Sequence, residues 1–415
     1  MIPHQYIEKN QQGLLMNLQD MIRVQTVNPP GRDYRRMIGL LERYCQKLRM
    51  QVEVHCVPTK LVGKVAGTGP DFPRYNLVAR WDVGAPLSVH FNAHYDVVPA
   101  MGAWKFGSPF EPGIQGGMIY GRGSGDMKGS IAALLMAVEA LQNTGRKPAF
   151  NVECSFTADE ETGGELGAGY VVRQGLVRAD FAVVCEGSAG TRVGCGHNGV
   201  LWLEIDILGK SAHAANPGAG INAFEAMVEL VHKLQDFKAE LDIPGRRYQD
   251  FSGVKRSPTI NIGGVFEGSE GDKVNTVPAR ASFTIDRRIL PNETIEQVEK
   301  ELRLFIERAT DKRSYLKYQV NVLLSIEPCV IDPKHVLPRS FAAAVQAVRR
   351  HPADFRSISG FTDLHYFVEE GGIPGVGYGV HGQNGHAIDE RVKLHDVLQT
   401  SKVYAEFMLR GIRAV

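Results

Sequence analysis

The 415-residue chain predicts an α/β fold in which a mostly parallel sheet domain is interrupted by a smaller α+β domain. Its first half alternates short apolar runs with helical stretches, as α/β layer structures do. Near His197 the pattern changes to a β-α-β-β-α-β order, and after Pro328 the first pattern returns. Because a chain of this length usually divides into two cores, we expect a larger domain at 1–196 and 328–415 and an inserted domain at 197–327.

The elements of the larger domain follow from the spacing of its apolar residues. Amphipathic spacing predicts a helix at Gln11–Val24, and further helices are predicted at Tyr34–Leu48 and Phe341–Arg350. The segment Ser130–Gln142 is predicted to be a helix rich in small residues, which suits close packing on a sheet face. Compact apolar runs predict strands at Gln51–Val57, Asn76–Trp81, Leu87–Ala93, Asn151–Thr157, Phe181–Glu186 and Gly375–Val380. In an open α/β sheet, ligands bind outside the carboxyl ends of such strands, so polar residues at those ends are candidate site residues.

The inserted segment has the pattern of a ferredoxin-like unit. Its predicted strands are Val200–Leu208, Thr259–Val265, Ala279–Ile289 and Tyr315–Ser325, and its predicted helices are Asn222–Lys238 and Thr294–Thr310. Alternation of apolar and polar residues, as in Val200–Leu208, is typical of a sheet with one exposed face. Because such a sheet needs a partner for its edge or face, the pattern favours a homodimer.

Composition argues against several classes of protein. The net charge of +1 gives no electrostatic reason to bind nucleic acid or an anionic membrane. No apolar run approaches the roughly 20 residues of a membrane span, and the first residues lack the basic-then-apolar order of a signal peptide. The six cysteines show no CxxC spacing, which argues against a zinc ribbon or a disulfide framework. A cytoplasmic enzyme is therefore expected.

Three adjacent carboxylates, Asp159-Glu160-Glu161 in the run CSFTADEETGG, follow the predicted strand Asn151–Thr157. Adjacent carboxylates repel one another, so they either form a solvated acidic turn or face a metal ion. Neighbouring residues of an extended chain point to opposite sides. Glu160 and Glu161 can therefore face one site only if the strand has ended and the backbone turns.

Further candidate residues follow another apolar run and lie in a glycine-rich loop. His94 and Asp96, in SVHFNAHYDVVPA, come at the end of Leu87–Ala93 and point to the same side of the chain. Asp96 is placed to accept the second N–H of a metal-bound His94, although a His–Asp surface pair is the alternative. Asp126 lies in YGRGSGDMKGS, whose glycines fit neither the GxGxxG nor the GxxxxGK[ST] phosphate loop.

The remaining candidates are Glu186, in FAVVCEGS, and His386, in YGVHGQNGHAIDERV, where His381 competes for any role. Glu186 is either a neighbour of a helix N-cap or a site residue. Two histidines with three or more carboxylates suit Zn²⁺, with Co²⁺ or Mn²⁺ as substitutes. Five ligands exceed the need of one tetrahedral site, so two metal ions sharing a bridging carboxylate use them better.

The motifs HYDVVP, GRGSGDMKG, TADEETGG, VCEGS and GHAIDE, in this order, resemble the dinuclear zinc amidohydrolase and peptidase family. That family contains acetylornithine deacetylase, succinyl-diaminopimelate desuccinylase, the aminoacylases and the bacterial glutamate carboxypeptidases. The resemblance implies a hydrolase that cleaves the amide bond of an N-acyl amino acid. A dipeptidase or carboxypeptidase with the same site, or a related hydrolase of another C–N bond, is the alternative.

The resemblance also implies roles for residues of the larger, catalytic domain. Five of them would hold two metal ions: His94, Asp126, Glu161, Glu186 and His386. Asp126 would bridge the two ions, Glu160 would be the general base, and Asp96 would orient His94. A strained peptide bond, such as a cis one, is expected after Asp126.

In the inserted domain, which the resemblance makes a lid and dimerisation domain, further residues match the family pattern. His213, in GKSAHAANPGAGINA, resembles a lid histidine that reaches the active site of the other subunit. Asn275 and Arg288, in VNTVPARASFTIDRRI, resemble contacts to a substrate carboxylate, and strand alternation favours Arg288 over the adjacent Arg287. In the larger domain, Gly360, in SISGFTDLHYF, resembles a glycine that lines the substrate pocket.

Overall fold

The computed structural model describes residues 1–251, 253–269, 271–311 and 317–413. It divides into two compact units. The first unit comprises Met1–Gly196, Ile331–Ile358 and Thr362–Val415, and the second comprises His197–Val330 and Ser359–Phe361. Among the described residues, no helix combines the length and the apolar character that crossing a membrane requires.

The helices and strands are as follows. The helices are α1 (Pro3–Lys9), α2 (Gln11–Ile22), α3 (Tyr34–Lys47), α4 (Thr59–Val65), α5 (Lys128–Asn143), α6 (Ala168–Arg173), α7 (Ala223–Leu241), α8 (Ile295–Thr310), α9 (Val336–Arg349) and α10 (Leu394–Arg410). The strands are β1 (Gln51–Cys56), β2 (Tyr75–Trp81), β3 (Ser88–His94), β4 (Gly113–Gln115), β5 (Met118–Tyr120), β6 (Asn151–Thr157), β7 (Phe181–Val184), β8 (Arg192–His197), β9 (Gly199–Leu208), β10 (Ala212–His213), β11 (Tyr248–Gln249), β12 (Lys255–Arg256), β13 (Thr259–Gly268), β14 (Thr276–Val277), β15 (Arg280–Ile289), β16 (Lys317–Ile326), β17 (Cys329–Val330), β18 (Asp354–Ile358), β19 (Gly375–Gly377), β20 (Gly382–Gln383) and β21 (Arg391–Lys393).

The first unit is built on a central sheet with the strand order β1-β2-β6-β3-β7-β19-β8. Its middle strands β6, β3, β7 and β19 run parallel, and β1, β2 and β8 join antiparallel to their neighbours. The middle strands are buried on both faces because helices cover them. The strand β7 is the continuous apolar run Phe181–Val184, whereas β3 and β6 carry buried polar residues such as His90 and Glu153. The predicted α/β class with a mostly parallel sheet is confirmed.

Helix α5 is the central helix of this core. It is buried almost all round, packed against β3, α2 and α10. Small residues such as Gly129, Ala132, Ala133 and Ala137 allow neighbouring elements to approach closely, as the small-residue pattern predicts. The helix begins directly after the glycine loop that carries Asp126, so its packing fixes the end of that loop.

A small four-stranded sheet, β20-β21-β5-β4, was not predicted from the sequence. Its strands have only two or three residues each, too few to show an apolar alternation. This sheet pairs segments that lie far apart in the chain, since Arg391–Lys393 pairs with Met118–Tyr120. It therefore brings the glycine loop after β5 next to the loop between β20 and β21.

The second unit is a four-stranded antiparallel sheet in the order β13-β15-β9-β16, with α7 and α8 packed on one face. Along β9, Leu201, Leu203, Ile205 and Ile207 are buried while the residues between them are partly exposed. The chain order β9-α7-β13-β15-α8-β16 is the predicted ferredoxin-like order. The last strand begins at Lys317, and positions 315 and 316 of its predicted range lie outside the described residues.

Candidate metal centre

Neighbouring strand ends and the small sheet bring the candidate residues of the first unit together. β3 ends at His94, β6 ends just before the acidic turn at Glu160, and β7 ends just before Glu186. Because these three strands are parallel neighbours, their carboxyl ends meet at one edge. Asp126 arrives from the glycine loop after β5, and His386 from the loop between β20 and β21.

The backbone turns at Asp159-Glu160-Glu161, as it must if both glutamates are to face one site. Asp159 has a φ of 62°, in the left-handed region, and Glu160–Thr162 forms one 3₁₀ turn. The backbone N–H groups of Glu160 and Glu161 donate to the two carboxylate oxygens of Asp96, at 3.2 and 3.3 Å. The turn therefore points both glutamates to the same site. The peptide bond between Asp126 and Met127 is cis, as the sequence analysis expects.

One group of candidate ligands surrounds His94. The Nε2 atom of His94 lies 3.1 Å from Asp126 Oδ1, 3.8 Å from Glu186 Oε2 and 3.9 Å from Glu160 Oε2. One ligand atom from each of His94, Glu160 and Glu186 lies within 4.8 Å of the others. His94 is buried, so its imidazole has little water to solvate it. Such a spacing is compact enough for one cation to contact several of these atoms.

A second group surrounds His386. Its Nε2 atom lies 3.0 Å from Glu161 Oε2 and 3.3 Å from Asp126 Oδ2. The two carboxylate oxygens of Asp126 thus face two different histidines, His94 and His386, as a bridging ligand does. Among the described residues, the two ligand groups include His386 and not its competitor His381.

The donor set fits divalent cations. Glu161 Oε1 and Glu186 Oε2 are buried carboxylate oxygens with no hydrogen-bond partner among the described residues. Such orphaned acceptors are costly unless a positive charge contacts them. Imidazole nitrogens combined with carboxylate oxygens are ligands that zinc accepts. Two ions that share Asp126 would therefore satisfy atoms that the protein alone leaves unpaired.

The pKa shifts within the cluster also favour a bound cation. Burial raises the pKa of Glu160, Glu161 and Glu186 above the usual value for glutamate, and nearby carboxylates raise it further. Hydrogen bonds with Asp126 and Glu161 raise the pKa of the His386 imidazole to about 10. Both shifts are consistent with an excess of negative charge among carboxylates that are largely buried. A cation would relieve this excess.

Asp96 lies behind His94. The Nδ1 atom of His94 lies 3.2 Å from the backbone oxygen of Asp96 and 3.4 Å from its Oδ1. A proton on Nδ1 would be held by these acceptors, which leaves Nε2 free to bind a metal ion. The Asp96 carboxylate also accepts from the Glu160 and Glu161 amides, so one residue positions parts of both ligand groups.

Glu390 is a positioning residue that the sequence analysis missed. Its fully buried carboxylate accepts N–H groups from Gly123, Gly125 and Asp126 at 3.0, 2.9 and 3.0 Å, and it pairs with Arg122 at 2.7 Å. It thus fixes the glycine loop that carries Asp126. The available signal was the acidic step after His386, in GHAIDE, which carries a carboxylate four residues beyond the histidine.

Asp159, which has no chemical role assigned from its sequence motif, anchors the acidic turn. Its Oδ2 lies 2.6 Å from Arg74 Nε, and its Oδ1 accepts from Tyr34 Oη at 2.7 Å and Asn28 Nδ2 at 3.1 Å. Arg74 also donates to the backbone oxygen of Phe72. This buried network holds the first residue of the turn, so the two glutamates that follow are positioned. No local signal in the sequence marks Arg74 as its partner.

The other candidates belong to the second unit. His213 and Asn275 are exposed neighbours, since the backbone N–H of Ala214 donates to the backbone oxygen of Asn275 at 2.9 Å. Arg288 is half-buried and contacts Asp286 at 2.9 Å, on the opposite face of β15 from Arg287.

Arg287 itself is fully buried and pairs with Glu293 at 2.6 Å, so it serves the core of the unit. Alternation along β15 therefore places Arg287 and Arg288 on opposite faces, and the role of Arg288 as a substrate contact stays a prediction. Gly360 is half-buried, and a Cβ atom built on it would meet no atom within 4 Å. Gly360 thus leaves open space at its position.

Comparison with known proteins agrees with this geometry. Residues 90–410 match the model of peptidase family M20/M25/M40. The chain belongs to this family. It is therefore an enzyme of the amidohydrolase and peptidase type, and the resemblance seen in the motifs is confirmed. Members of the family are metallohydrolases, so the paired ligand groups are where their metal ions are expected.

Individual relatives cover most of the chain. An uncharacterized metallohydrolase of Methanocaldococcus jannaschii is 26% identical over 94% of this chain and 97% of its own. A succinyl-diaminopimelate desuccinylase of a Caulobacter species is 30% identical, over 82% of this chain and 85% of its own. The solved structure of a di-peptidase from Saccharomyces cerevisiae has a TM-score of 0.78 at 17% identity, covering 98% of this chain and 97% of its own. The last likeness shows the fold alone.

Proposed function

We propose that the protein hydrolyses the amide bond of N-acyl amino acids with the help of two divalent metal ions. Zinc is the expected metal, and cobalt or manganese could substitute for it. The observation that carries the proposal is the pair of ligand groups around His94 and His386, with the two carboxylate oxygens of Asp126 facing both histidines. The desuccinylase relative supports a deacylase reaction. The products are a carboxylic acid and a free amino acid.

The ligands divide between the two ions. His94, Asp126 and Glu186 would hold one ion, and Asp126, Glu161 and His386 the other. When bound, the pair of ions would polarise the substrate carbonyl and lower the pKa of a water molecule. A buried cluster with unpaired carboxylate oxygens supports this assignment, since it gains most from two positive charges.

Glu160 is the proposed general base. It is buried, and its Oε2 lies 3.9 Å from His94 Nε2, close to the first ion's position. Glu160 would accept a proton from the attacking water and return it to the leaving nitrogen as the C–N bond breaks. Burial and the charge of Glu186 raise its pKa well above the usual value, which suits a group that must donate the proton again.

Residues of the second unit would bind the substrate. The Nδ1 atom of His213 accepts the backbone N–H of Ala215 at 3.0 Å. A neutral ring then carries its proton on Nε2, where it can donate to a developing oxyanion. Arg288 and Asn275 would bind the substrate carboxylate, and Gly360 would leave room beside it.

A homodimer, with His213 acting in the partner's site, is part of the proposal. We assign residues 197–327 to a lid and dimerisation domain, and residues 1–196 and 328–415 to the catalytic domain. Its support is apolar surface on the second unit, because Phe266 on the edge strand β13 is 71% exposed and Phe224 on α7 is 54% exposed. The cytoplasmic location expected from the sequence stays a prediction.

Dipeptide hydrolysis is the second candidate function. A peptide bond is also an amide next to a carboxylate, so the same ligands and the same proposed contact from Arg288 serve it. The fold likeness to a di-peptidase is the observation that keeps it open. The two reactions differ only in the group on the carbonyl side of the bond.

The test uses protein stripped with a chelator and restored with Zn²⁺, Co²⁺ or Mn²⁺. We expect two ions per chain and metal-dependent hydrolysis of N-acetyl or N-succinyl amino acids, measured beside dipeptides. His386→Ala should bind one ion fewer, while the neighbouring His381→Ala should keep both. The proposal is wrong if no member of the panel is hydrolysed in a metal-dependent way.

A further inference from the structure

Asn28 is a buried polar residue to which the proposed mechanism gives no role. It lies between α2 and α3, directly before Pro29-Pro30, and it is 2% exposed. Its backbone N–H donates to the backbone oxygen of Val97 at 2.9 Å, and the Val97 N–H donates to the backbone oxygen of Thr26 at 2.9 Å. These two hydrogen bonds fix the backbone of Asn28 beside the segment that carries Asp96.

The side-chain amide of Asn28 contacts three oxygen atoms. Its Nδ2 atom donates to Asp96 Oδ2 at 3.1 Å, to Asp159 Oδ1 at 3.1 Å and to Thr162 Oγ1 at 2.9 Å. The Thr162 hydroxyl donates its own hydrogen to the backbone oxygen of Asp159 at 3.2 Å, so its oxygen acts as an acceptor towards Asn28. Because an amide nitrogen carries two hydrogens, two of the three acceptors share one of them.

The acidic turn is folded around this nitrogen. Asp159 lies directly before the 3₁₀ turn Glu160–Thr162, and Thr162 is the last residue of that turn. Asp96 accepts the two backbone N–H groups in the middle of the turn. One amide nitrogen of Asn28 therefore holds both ends of the turn, together with the carboxylate that binds its middle.

The same nitrogen lies between two buried carboxylates. Asp96 is 0% exposed and Asp159 is 3% exposed. Their two oxygens each lie 3.1 Å from Asn28 Nδ2, so they are no more than about 6 Å from each other. Like charges at that distance repel each other when little water separates them. An N–H donor attracts both carboxylates, and an apolar side chain in its place would leave both without that hydrogen bond.

We propose that Asn28 is a positioning residue of the metal centre and supports both ligand groups through one amide. The inference rests on the proposed two-metal hydrolysis and deepens it. Asp96 lies behind His94, so it orients a ligand of the first group. The acidic turn carries Glu161, which belongs to the second group. Loss of the Asn28 donor therefore disturbs both metal ions at once.

The experiment replaces Asn28 by leucine, which has a similar size and shape but no donor. Zn²⁺ affinity is measured by equilibrium dialysis of the full chain, in the absence of substrate. We expect Asn28→Leu to bind both ions about 10–100-fold more weakly than the unaltered chain, because residues that orient metal ligands have effects of this size. At saturating zinc, kcat should fall at least about tenfold because Glu160 is displaced, and KM should change less than about threefold.

A matched control lies at the other end of β6. The Asn151 side chain also holds a turn by three hydrogen bonds, since it accepts the N–H groups of Val83 and Ala85 at 3.0 and 3.1 Å and donates to the Ala85 oxygen at 2.8 Å. Asn151→Leu should keep the zinc affinity and kcat of the unaltered chain. Equal losses in the two variants indicate general destabilisation and overturn the inference. Unchanged zinc affinity in Asn28→Leu, or weakening of one ion only, overturns it as well.

A second pair of variants gives the answer if Asn28→Leu does not fold. Thr162 is exposed, so changes there leave the core intact. Thr162→Val removes the acceptor for Asn28, whereas Thr162→Ser keeps the hydroxyl. We expect zinc to bind the group of Glu161 about 2–10-fold more weakly in the valine variant than in the serine variant, and equal affinities refute the inference. A full-length chain that binds no zinc would refute the proposed function as well, so the two failures are distinguishable.

Discussion

The ion pair between Arg74 and Asp159 offers the sharpest test of how the acidic turn is held. The two side chains are 1% and 4% exposed, and Arg74 Nε lies 2.6 Å from Asp159 Oδ2. Arg74→Met keeps much of the apolar length but removes the charge. The Asp159 carboxylate is then left buried, with Asp96 nearby and no cation. Removal of one partner of a buried pair costs about 3–5 kcal/mol, so we expect a loss of that size in the free energy of unfolding.

A matched control comes from an exposed pair in the same unit. Arg173 contacts Glu370 at 2.8 Å, but their side chains are 44% and 35% exposed. Arg173→Met should cost only about 0–1 kcal/mol, because water solvates both charges and weakens their attraction. Urea denaturation of both variants, with the midpoint and slope recorded, gives the two free energies.

The double variant Arg74→Met/Asp159→Asn separates the charge effect from the packing effect. We expect it to recover part of the loss, since the buried carboxylate is gone. Hydrolytic activity should fall in Arg74→Met even where the protein remains folded, because Asp159 begins the turn of Glu160 and Glu161. The reasoning is refuted if Arg74→Met is within about 1 kcal/mol of Arg173→Met and retains full activity.

Three further variants probe the site itself. Glu160→Gln should keep both metal ions by elemental analysis and lose about 10²–10⁴ in kcat, and normal turnover would remove Glu160 as the base. Glu390→Ala should weaken metal binding by about 10–100-fold in equilibrium dialysis, because the loop of Asp126 loses its anchor, and an unchanged affinity would contradict that role. His213→Ala should lower kcat by about 10²–10³ with metal content unchanged, and an unaffected rate would exclude His213 from the reaction.

Local patterns were sufficient to predict the residues at strand ends. His94 and Glu186 each follow an apolar run whose parallel pairing is dictated by α/β alternation, so their meeting at one edge follows from the fold. The turn at Asp159 was also predictable, because two adjacent glutamates can share a site only where the strand has ended. Simple alternation along β15 likewise predicted that Arg287 and Arg288 lie on opposite faces of the strand.

Long-range partners were beyond the reach of such patterns. Glu390 accepts from the Gly123 amide across 267 residues, and Arg74 reaches Asp159 across 85. Arg74 has no local feature that distinguishes it from an ordinary surface charge, and the acidic step in GHAIDE does not show which loop Glu390 contacts, since the burial of both residues depends on packing from distant segments. The strands β4, β5, β20 and β21, which bring Glu390 to the glycine loop, are also too short to be recognised. Positioning residues of this kind depend on tertiary structure and not on a motif.

The acidic run shows why a motif alone underdetermines chemistry. Asp159, Glu160 and Glu161 are adjacent, yet each has a different environment: an arginine pair, the neighbourhood of His94, and a contact with His386 at 3.0 Å. The three side chains reach different environments because Asp159 has a left-handed backbone conformation and one 3₁₀ turn follows it. Only the first carboxylate is paired with an arginine, whereas the other two lie beside histidines. Since the other two are buried beside further carboxylates, positive charge from outside the chain would stabilise them, and the proposed metal ions would supply it.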